Sequence, residues 1–447
     1  MTDETKRPAG MTGFTIVWIG QLVSLLGTNM TNFALTIWAF EQTGRATDLA
    51  LIGFFFMVPL LIVSPMAGAI VDRHDRKLMM MVSDLASGVV TIIVLILYAT
   101  GLLEVWHLYI TAAISGTFQT FQWPAYSAAI STMLPKKQYA RANGMISLAE
   151  SGSGIFAPVL AGAILSFWGL NAVFAIDIIT FTVAIGALLV VHIPTPKRTE
   201  AGKASQGSLW QESVYGFRYI LTKPSLLGLQ LLFLGGNFMA AIGGTVFAPM
   251  LLARTGSNEL IFGSVQSASA IGGVVGGLVM SAWGGPKRLV YGVVGGWVVS
   301  GLMQSLFGAG QILPIWLVAG FMMSALVPLI NGSNQAIWQA KVAPDVQGRV
   351  FAIRRLIAWV SSPVAQLIAG PMADYVMEPA MHEGGQLAGT FGWLVGTGSG
   401  AGMGLMMVFS GVMASLVVLV AFSFPAVRHA EALLPDHEQV GELVAGG

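Results

Sequence analysis

Residues 68–77 read Gly-Ala-Ile-Val-Asp-Arg-His-Asp-Arg-Lys, and this charged segment lies between two long apolar stretches, at about 49–71 and 78–99. Each stretch has about the 20 residues that an α-helix needs to cross the hydrocarbon core of a bilayer. The pattern therefore predicts two transmembrane helices joined by a short basic turn.

The rest of the chain also has the composition of a membrane protein. Of its 447 residues 55% are hydrophobic and 10% are charged, and the mean hydropathy is +0.74. A soluble chain carries about 25% charged residues, so a large water-soluble domain is excluded. The lack of cysteine excludes disulfides and thiolate chemistry. The balance of 22 Lys and Arg against 21 Asp and Glu predicts no nucleic-acid partner.

Uninterrupted apolar stretches bounded by charged or turn residues predict an all-α polytopic membrane protein with twelve transmembrane helices. The predicted helices, numbered 1 to 12 in chain order, lie at about 14–40, 49–71, 78–99, 108–132, 144–167, 172–191, 226–252, 260–283, 289–307, 312–339, 352–376 and 400–425.

The distribution of basic residues predicts the orientation. An even number of helices places both termini on one side, and the loops then form two groups. Of the 22 Lys and Arg residues, one group holds only Arg45 and Arg254. Because basic residues concentrate in cytoplasmic loops, we predict a multi-pass protein of the inner (plasma) membrane with both termini in the cytoplasm.

The longest predicted cytoplasmic connection divides the chain into three parts. We predict an N-terminal six-helix half at 1–191, a linker at 192–224, and a C-terminal half with a cytoplasmic tail at 225–447. Within the linker, Ser208–Leu221 places most of its apolar residues on one side of a helix. This predicts an interfacial helix on the inner leaflet, with an ordinary linker helix as the alternative.

Internal repeats relate the two halves. Residues 140–162 align without a gap with 348–370, and 68–77 pairs with 277–287 at the loop between the second and third helices of each half. These positions predict two pseudo-symmetric halves. Parallel six-helix repeats are typical of rocker-type secondary transporters, whose substrate site lies between the halves near the membrane midplane.

The segment 68–77 resembles the loop motif of the major facilitator superfamily, G-x-x-x-D-R-x-G-R-K, with Asp75 where a second glycine is usual. The resemblance implies a major facilitator fold and a latch in which Asp72 contacts the start of helix 11 when the cytoplasmic side is closed. A positive-inside turn without latch function is the alternative. In the second copy Ser281 stands for the acid, so we expect an asymmetric latch. The predicted latch residues are Gly68, Asp72, Arg73, Arg76, Lys77 and Arg349.

Other segments extend the resemblance over essentially the whole chain. Residues 153–162 resemble an antiporter motif of the superfamily, although ordinary packing of small residues explains the same letters. The chain resembles the drug-efflux branch of the superfamily, which contains macrolide efflux proteins and the enterobactin exporter. The segments that carry this resemblance include 123–126, 141–144 and 347–350. The resemblance implies export of a small amphipathic molecule, such as a drug, a macrolide-like compound or a siderophore.

Three acids inside predicted helices, Glu150, Asp84 and Asp177, are candidates for proton coupling, because intramembrane carboxylates are rare. Glu150 is the first choice, since an apolar environment favours the protonated form of a carboxyl group and alternating access could load and release the proton. Pairing of Glu150 with Arg141 or Lys137 is the alternative. Asp177 can instead hydrogen-bond a neighbouring helix, and Asp84 can belong to the latch.

Polar and aromatic side chains inside the predicted helices are candidates for a substrate cavity. By resemblance, helices 1, 4, 7 and 10 line this cavity, and they hold most of the intramembrane amides. Amides also join helices by hydrogen bonds, so part of the set has a structural role. The candidates are Asn29, Asn32, Gln119, Gln122, Trp123, Asn237, Gln266, Asn331 and Asn334.

These features predict a secondary active transporter, namely a proton-coupled exporter that works by alternating access. The predicted partners are a small-molecule substrate, protons and the lipid bilayer, and we expect a monomer without a cofactor. The six histidines fall in predicted loops or tails, so no metal site or catalytic triad is predicted and we expect no enzyme activity. A carrier of lipid or lipid-linked substrates and a transport-inactive, sensor-like homologue are the alternatives.

Overall fold

The computed structural model describes residues 8–135, 139–193, 217–342 and 344–433, and every structural statement below concerns these residues. Their regular elements are helices, which confirms the all-α class. The long helices are α1 (Gly10–Thr43), α2 (Ala46–Arg73), α3 (Arg76–Ala99), α4 (Val105–Met133), the continuous segment Tyr139–Val190, α7 (Pro224–Thr255), α8 (Glu259–Trp283), α9 (Leu289–Ala309), α10 (Leu313–Lys341), α11 (Pro344–Met372) and α12 (Ala401–Ser423).

The segment Tyr139–Val190 contains two helices, because its backbone leaves the helical region at Gly169, where φ is 74° and ψ is −179°. A positive φ is accessible to glycine without the steric cost that a β-carbon brings. We call residues 139–168 α5 and residues 170–190 α6. The sequence also predicts the boundary between helices 5 and 6 at this point.

Ten helices in the described part of the chain are long and apolar enough to cross a membrane, and one of them, Leu148–Val190, includes residues of both α5 and α6. The count of twelve therefore stays a prediction. Several helices are longer than the apolar stretches that predict them; α1, for example, has 34 residues. Apolar residues mark the hydrocarbon core, whereas backbone hydrogen bonds continue into the polar boundary region.

The chain packs as two compact units. The first comprises Met1–Ser205 with Thr255–Ser267, and the second comprises Gln206–Arg254 with Ala268–Gly447. The division into 1–191, 192–224 and 225–447 stays a prediction. Most of the predicted interfacial helix falls at 208–216, outside the described residues, while 217–221 is helical.

Small residues allow the helices of the first unit to approach closely. α1 packs on the segment that contains α5 and α6, and α4 packs on α2 and α3. A β-carbon at Gly27 of α1 would overlap Thr180 of α6, and one at Gly116 of α4 would overlap the carbonyl oxygen of Phe56 in α2. Close backbone approach at small residues is a common way for membrane helices to associate. These contacts place polar side chains of α1, α3, α4 and α6 around one space.

In the second unit, α9 packs on α10 and α12. After α11 the chain continues through a π-helical turn, Ala373–Met377, and two short helices, Glu378–Met381 and Ala388–Val395. The Glu378 carboxylate accepts hydrogen bonds from the backbone N–H groups of Gly400, at 3.1 Å, and Met403, at 2.8 Å. Because the first N–H groups of a helix have no partner within the helix, Glu378 caps the N-terminus of α12.

Candidate functional site

A cavity of about 440 Å³ lies within the first unit, and α1, α2, α3, α4 and α6 contribute its lining residues. This volume falls in the range of about 300–1,000 Å³ that is usual for small-molecule sites. Polar residues of α1 recur at intervals of three or four, which places many of them on one face of the helix. The polar lining residues of α1 are Gln21, Ser24, Thr28, Asn29, Thr31, Asn32 and Thr36.

The other walls of the cavity combine apolar side chains with two carboxyl groups. Phe56 and Ile52 of α2, Val90 of α3 and Leu108 of α4 are among the apolar lining residues. Among the described residues that line the cavity, the ionisable ones are Asp84 and Asp177. Such a cavity suits an amphipathic ligand with a positive charge.

The Asp84 carboxylate is held by two amide side chains from other helices. Gln21 Nε2 of α1 donates to Asp84 Oδ2 at 2.7 Å, and Gln122 Nε2 of α4 donates to Asp84 Oδ1 at 3.0 Å. Gln122 Nε2 also donates to Gln21 Oε1 at 2.8 Å. Asp84 is 8% exposed. This cluster joins three helices through neutral donors and leaves the charge of the carboxylate without a cationic partner in the described part of the chain.

A second buried carboxylate, that of Asp177 in α6, lines the same cavity and also accepts hydrogen bonds from neutral side chains. Thr91 Oγ1 of α3 donates to Asp177 Oδ2 at 2.9 Å, and Thr28 Oγ1 of α1 donates to Asp177 Oδ1 at 3.3 Å. Asp177 is 2% exposed. An ionised carboxylate that is buried without a cation is costly, so a bound proton or a cationic ligand stabilises both clusters.

The cavity brings together four of the predicted amides: Asn29, Asn32, Gln119 and Gln122. Asn29 Nδ2 also donates to Ser153 Oγ of α5 at 2.8 Å, so this residue joins α1 to the helix that carries the antiporter-like motif. Asn32 and Gln119 are exposed in the structure and make no hydrogen bond through their side chains within its described part. Both amides are therefore accessible to a ligand.

The remaining predicted cavity residues lie elsewhere. Asn237 in α7 and Gln266 in α8 are half-buried, and Asn331 in α10 is exposed. Asn334, which is 3% exposed, accepts a hydrogen bond from Trp338 Nε1 in the same helix at 3.1 Å. The side chain of Trp123 lies outside the described residues. The cavity of the first unit is therefore not lined by Asn237, Gln266, Asn331 or Asn334.

Glu150, the first choice for proton coupling in the sequence analysis, lies in α5 with an exposed side chain and is not among the lining residues of the cavity. Its alternative partners, Arg141 and Lys137, fall outside the described side chains. Asp84 and Asp177 therefore line the cavity, whereas Glu150 does not.

The latch loop is described in part. Lys77 Nζ donates to the backbone carbonyl oxygen of Val191 at 2.8 Å, which ties the start of α3 to the residue that follows α6. Asp75 caps α3, because its Oδ1 accepts from Leu78 N at 3.1 Å. Arg76 is half-buried. The surroundings of Gly68 and the side chains of Asp72, Arg73 and Arg349 fall outside what the structure describes, so the latch stays a prediction.

Three residues that hold the carboxylates were not among the predicted site residues: Gln21, Thr28 and Thr91. The spacing of polar residues along helix 1 carried a signal for Gln21 and Thr28, since these two residues and Asn32 recur on one face of the helix. Thr91 of α3 carried no comparable signal, because the hydroxyl of a threonine usually bonds to the carbonyl oxygen one turn earlier in the same helix.

Many apolar helices, together with a cavity that combines apolar walls with two carboxyl groups, are typical of a polytopic membrane protein that binds a small molecule. The sequence matches the Major Facilitator Superfamily over residues 17–366. The chain belongs to this superfamily of membrane transporters, which confirms the prediction of a transporter rather than an enzyme.

Similar proteins include efflux transporters. Macrolide efflux protein A of Streptococcus pyogenes is 26% identical over 369 residues, which cover 81% of this chain and 90% of that protein. Multidrug efflux pump Tap of Mycolicibacterium fortuitum is 25% identical over 393 residues, which cover 84% and 91% of the two chains. A crystal structure of a bacterial homologue of the human lysosomal transporter Spinster matches with a TM-score of 0.65 and 14% identity, over 95% of this chain and 98% of that one. The structural match supports the fold alone.

Proposed function

We propose that this protein is a proton-coupled exporter of small amphipathic molecules that carry a positive charge, and that it works by alternating access. The observation that carries the proposal is the cavity of the first unit, whose apolar walls hold Asp84 and Asp177 without a basic residue among the described lining residues. A few polar groups among apolar walls are typical of specific small-molecule sites. The names of the similar proteins, a macrolide efflux protein and a multidrug efflux pump, favour export of such compounds.

Competition for one carboxylate supplies the coupling. When Asp84 is ionised, it attracts an ammonium group of the substrate; when it is protonated, that attraction is lost. Entry of a proton from the outside would therefore favour release of the substrate, and loss of the proton to the inside would favour binding of the next one. Asp177 offers a second carboxylate for the same exchange, whereas Glu150 lies outside the cavity and takes no part in it.

The setting of the protein is part of the proposal. We propose that it resides in the inner membrane with both termini in the cytoplasm and that it acts as a monomer. The basic residues of the predicted cytoplasmic loops support this orientation. Closure of the cytoplasmic side would use the latch at 68–77.

Proteoliposomes test the proposal. The purified protein should drive accumulation of a cationic dye, and of a macrolide that carries a tertiary amine, when a proton gradient is imposed, and an uncoupler should abolish the accumulation. Asp84→Asn should remove this transport, while Glu150→Gln, outside the cavity, serves as the matched acid-to-amide control. Transport that is equal with and without the gradient would contradict proton coupling. Movement of a labelled phospholipid, without movement of either compound, would instead favour a lipid carrier.

A further inference from the structure

The loop of the second unit has no acid at the N-terminus of α9. Arg288 is the N-cap residue of α9, and its side chain makes no capping hydrogen bond. In the first unit, the helix at the same place in the repeat, α3, is capped by Asp75 of its own loop, which accepts from Leu78 N. Asp75 is the N-cap residue of α3, so the position that corresponds to it in the second unit is Arg288, which has no carboxylate.

A residue from the far end of the chain supplies the missing cap. Glu431 Oε1 accepts from Leu289 N at 3.2 Å, and Glu431 Oε2 accepts from Val290 N at 3.2 Å. Both N–H groups belong to the first turn of α9, where the helix itself offers no acceptor and a negative charge is favoured by the helix dipole. Glu431 thus does for α9 what Asp75 does for α3.

The segment around Glu431, residues 425–433, packs against three long helices, and we call it the C-terminal clasp. Lys341, the last residue of α10, is 7% exposed, and its ammonium group donates to the backbone carbonyl oxygen of Glu431. Val427 and Ala430 are each 2% exposed and join a core cluster with Leu229 of α7. The clasp therefore connects the ends of α7, α9 and α10.

We propose that the C-terminal clasp is a gating element of the second unit. Glu431 is its positioning residue, because its carboxylate supplies the cap that the second loop does not supply and its backbone carbonyl binds Lys341, so that the ends of α9 and α10 are held together. An acid in the loop itself stays beside its helix, whereas an acid in a separate segment leaves when that segment undocks. The two units would then be gated differently: the first by its own loop, the second by docking of the clasp. This inference rests on the proposed function, since a gate matters only to transport.

The test separates docking from gating and from simple helix capping. The chain has no cysteine, so Leu433→Cys, at an exposed position of the clasp, accepts a spin label at one site in the full-length protein. Label mobility, melting temperature and export are compared between this background and Glu431→Ala. The matched control is Glu383→Ala, an exposed glutamate of the same unit. A double variant, Glu431→Ala with Arg288→Ser, gives α9 a local cap, because serine is a favoured N-cap residue.

Removal of Glu431 should increase the mobility of the label, lower the melting temperature by a few degrees and reduce export severalfold, and Glu383→Ala should change none of the three. Arg288→Ser should restore the melting temperature of the double variant but neither the immobile label nor export. A label that stays immobile in Glu431→Ala would overturn docking through Glu431. Export that returns together with the melting temperature in the double variant would reduce Glu431 to a helix cap and overturn gating. If the wild type exports nothing, the proposed function fails, and the label still decides whether Glu431 docks the clasp.

Discussion

Substitution of Asp84 by asparagine separates the charge of the cavity from its shape. Asparagine has the same number of heavy atoms, so it can stay between Gln21 and Gln122. Its amide oxygen still accepts one of the two hydrogen bonds that reach Asp84, at 2.7 and 3.0 Å. Its NH₂ group cannot accept the other, so one hydrogen bond between helices is lost together with the negative charge.

We expect this substitution to weaken binding more than folding. Hydrogen bonds between membrane helices contribute about 0.6 kcal/mol on average and about 1.7 kcal/mol at most, so the free energy of unfolding should fall by less than about 2 kcal/mol. A hydrogen bond from an ammonium group to a carboxylate contributes about 1.5–3 kcal/mol. Its loss should weaken binding of a cationic substrate about 10- to 100-fold, at about 1.4 kcal/mol for each factor of ten.

Binding to the purified protein in detergent measures this difference directly. The dissociation constants of a cationic dye and of an uncharged analogue of similar size are compared for the wild type, Asp84→Asn and Glu150→Gln. We expect Asp84→Asn to lose affinity for the cation alone and Glu150→Gln to keep both affinities. Equal weakening for the charged and uncharged compounds would show that Asp84 shapes the cavity without recognising charge, and unchanged binding would remove Asp84 from the site.

Other substitutions test the site and the packing of the helices. Glu150→Gln should retain uncoupler-sensitive export in cells at normal membrane levels, because Glu150 does not line the cavity; loss of that export would return Glu150 to the coupling mechanism. Gly116→Val should lower the melting temperature by overpacking α4 against the Phe56 carbonyl oxygen, at a cost of about 1–3 kcal/mol, whereas Gly152→Ala, with no atom near its β-carbon position, should not. Glu378→Ala should destabilise the protein by about 0.5–2 kcal/mol in thermal unfolding, since α12 loses its cap. An unchanged melting temperature in either case would contradict the packing or the capping described above.

The sequence predicted the class of fold well, because membrane insertion imposes a strong pattern. Long apolar helices and the break near Gly169 follow from hydropathy and from the positions of glycine and charge. The predicted ends of the helices were less accurate. For example, α11 begins at Pro344, about eight residues before the apolar stretch that predicts it. The apolar stretch marks the hydrocarbon core and gives no information on how far the helix continues beyond it.

The site was predicted in part, since a sequence shows which residues are polar but not which helices meet. Gln122 and Asn29 were identified as cavity candidates, yet the sequence could not pair Gln122 with Asp84, 38 positions away on another helix. Glu150 and Asp84 look equivalent in the sequence, as both are acids about a turn or two inside their helices. Tertiary packing distinguishes them, because Asp84 is 8% exposed beside two amides and Glu150 is exposed.

Protection of a single cysteine by substrate tests most directly whether the cavity of the first unit is the binding site. Ser115 of α4 lines this cavity, and Thr222, in an exposed turn, does not. Since the chain has no cysteine of its own, Ser115→Cys and Thr222→Cys each give one site for a maleimide. We predict that a saturating cationic dye slows the reaction at position 115 severalfold and leaves the rate at position 222 unchanged. Equal rates at position 115 with and without a dye that the protein demonstrably binds would place the binding site elsewhere and contradict the proposal.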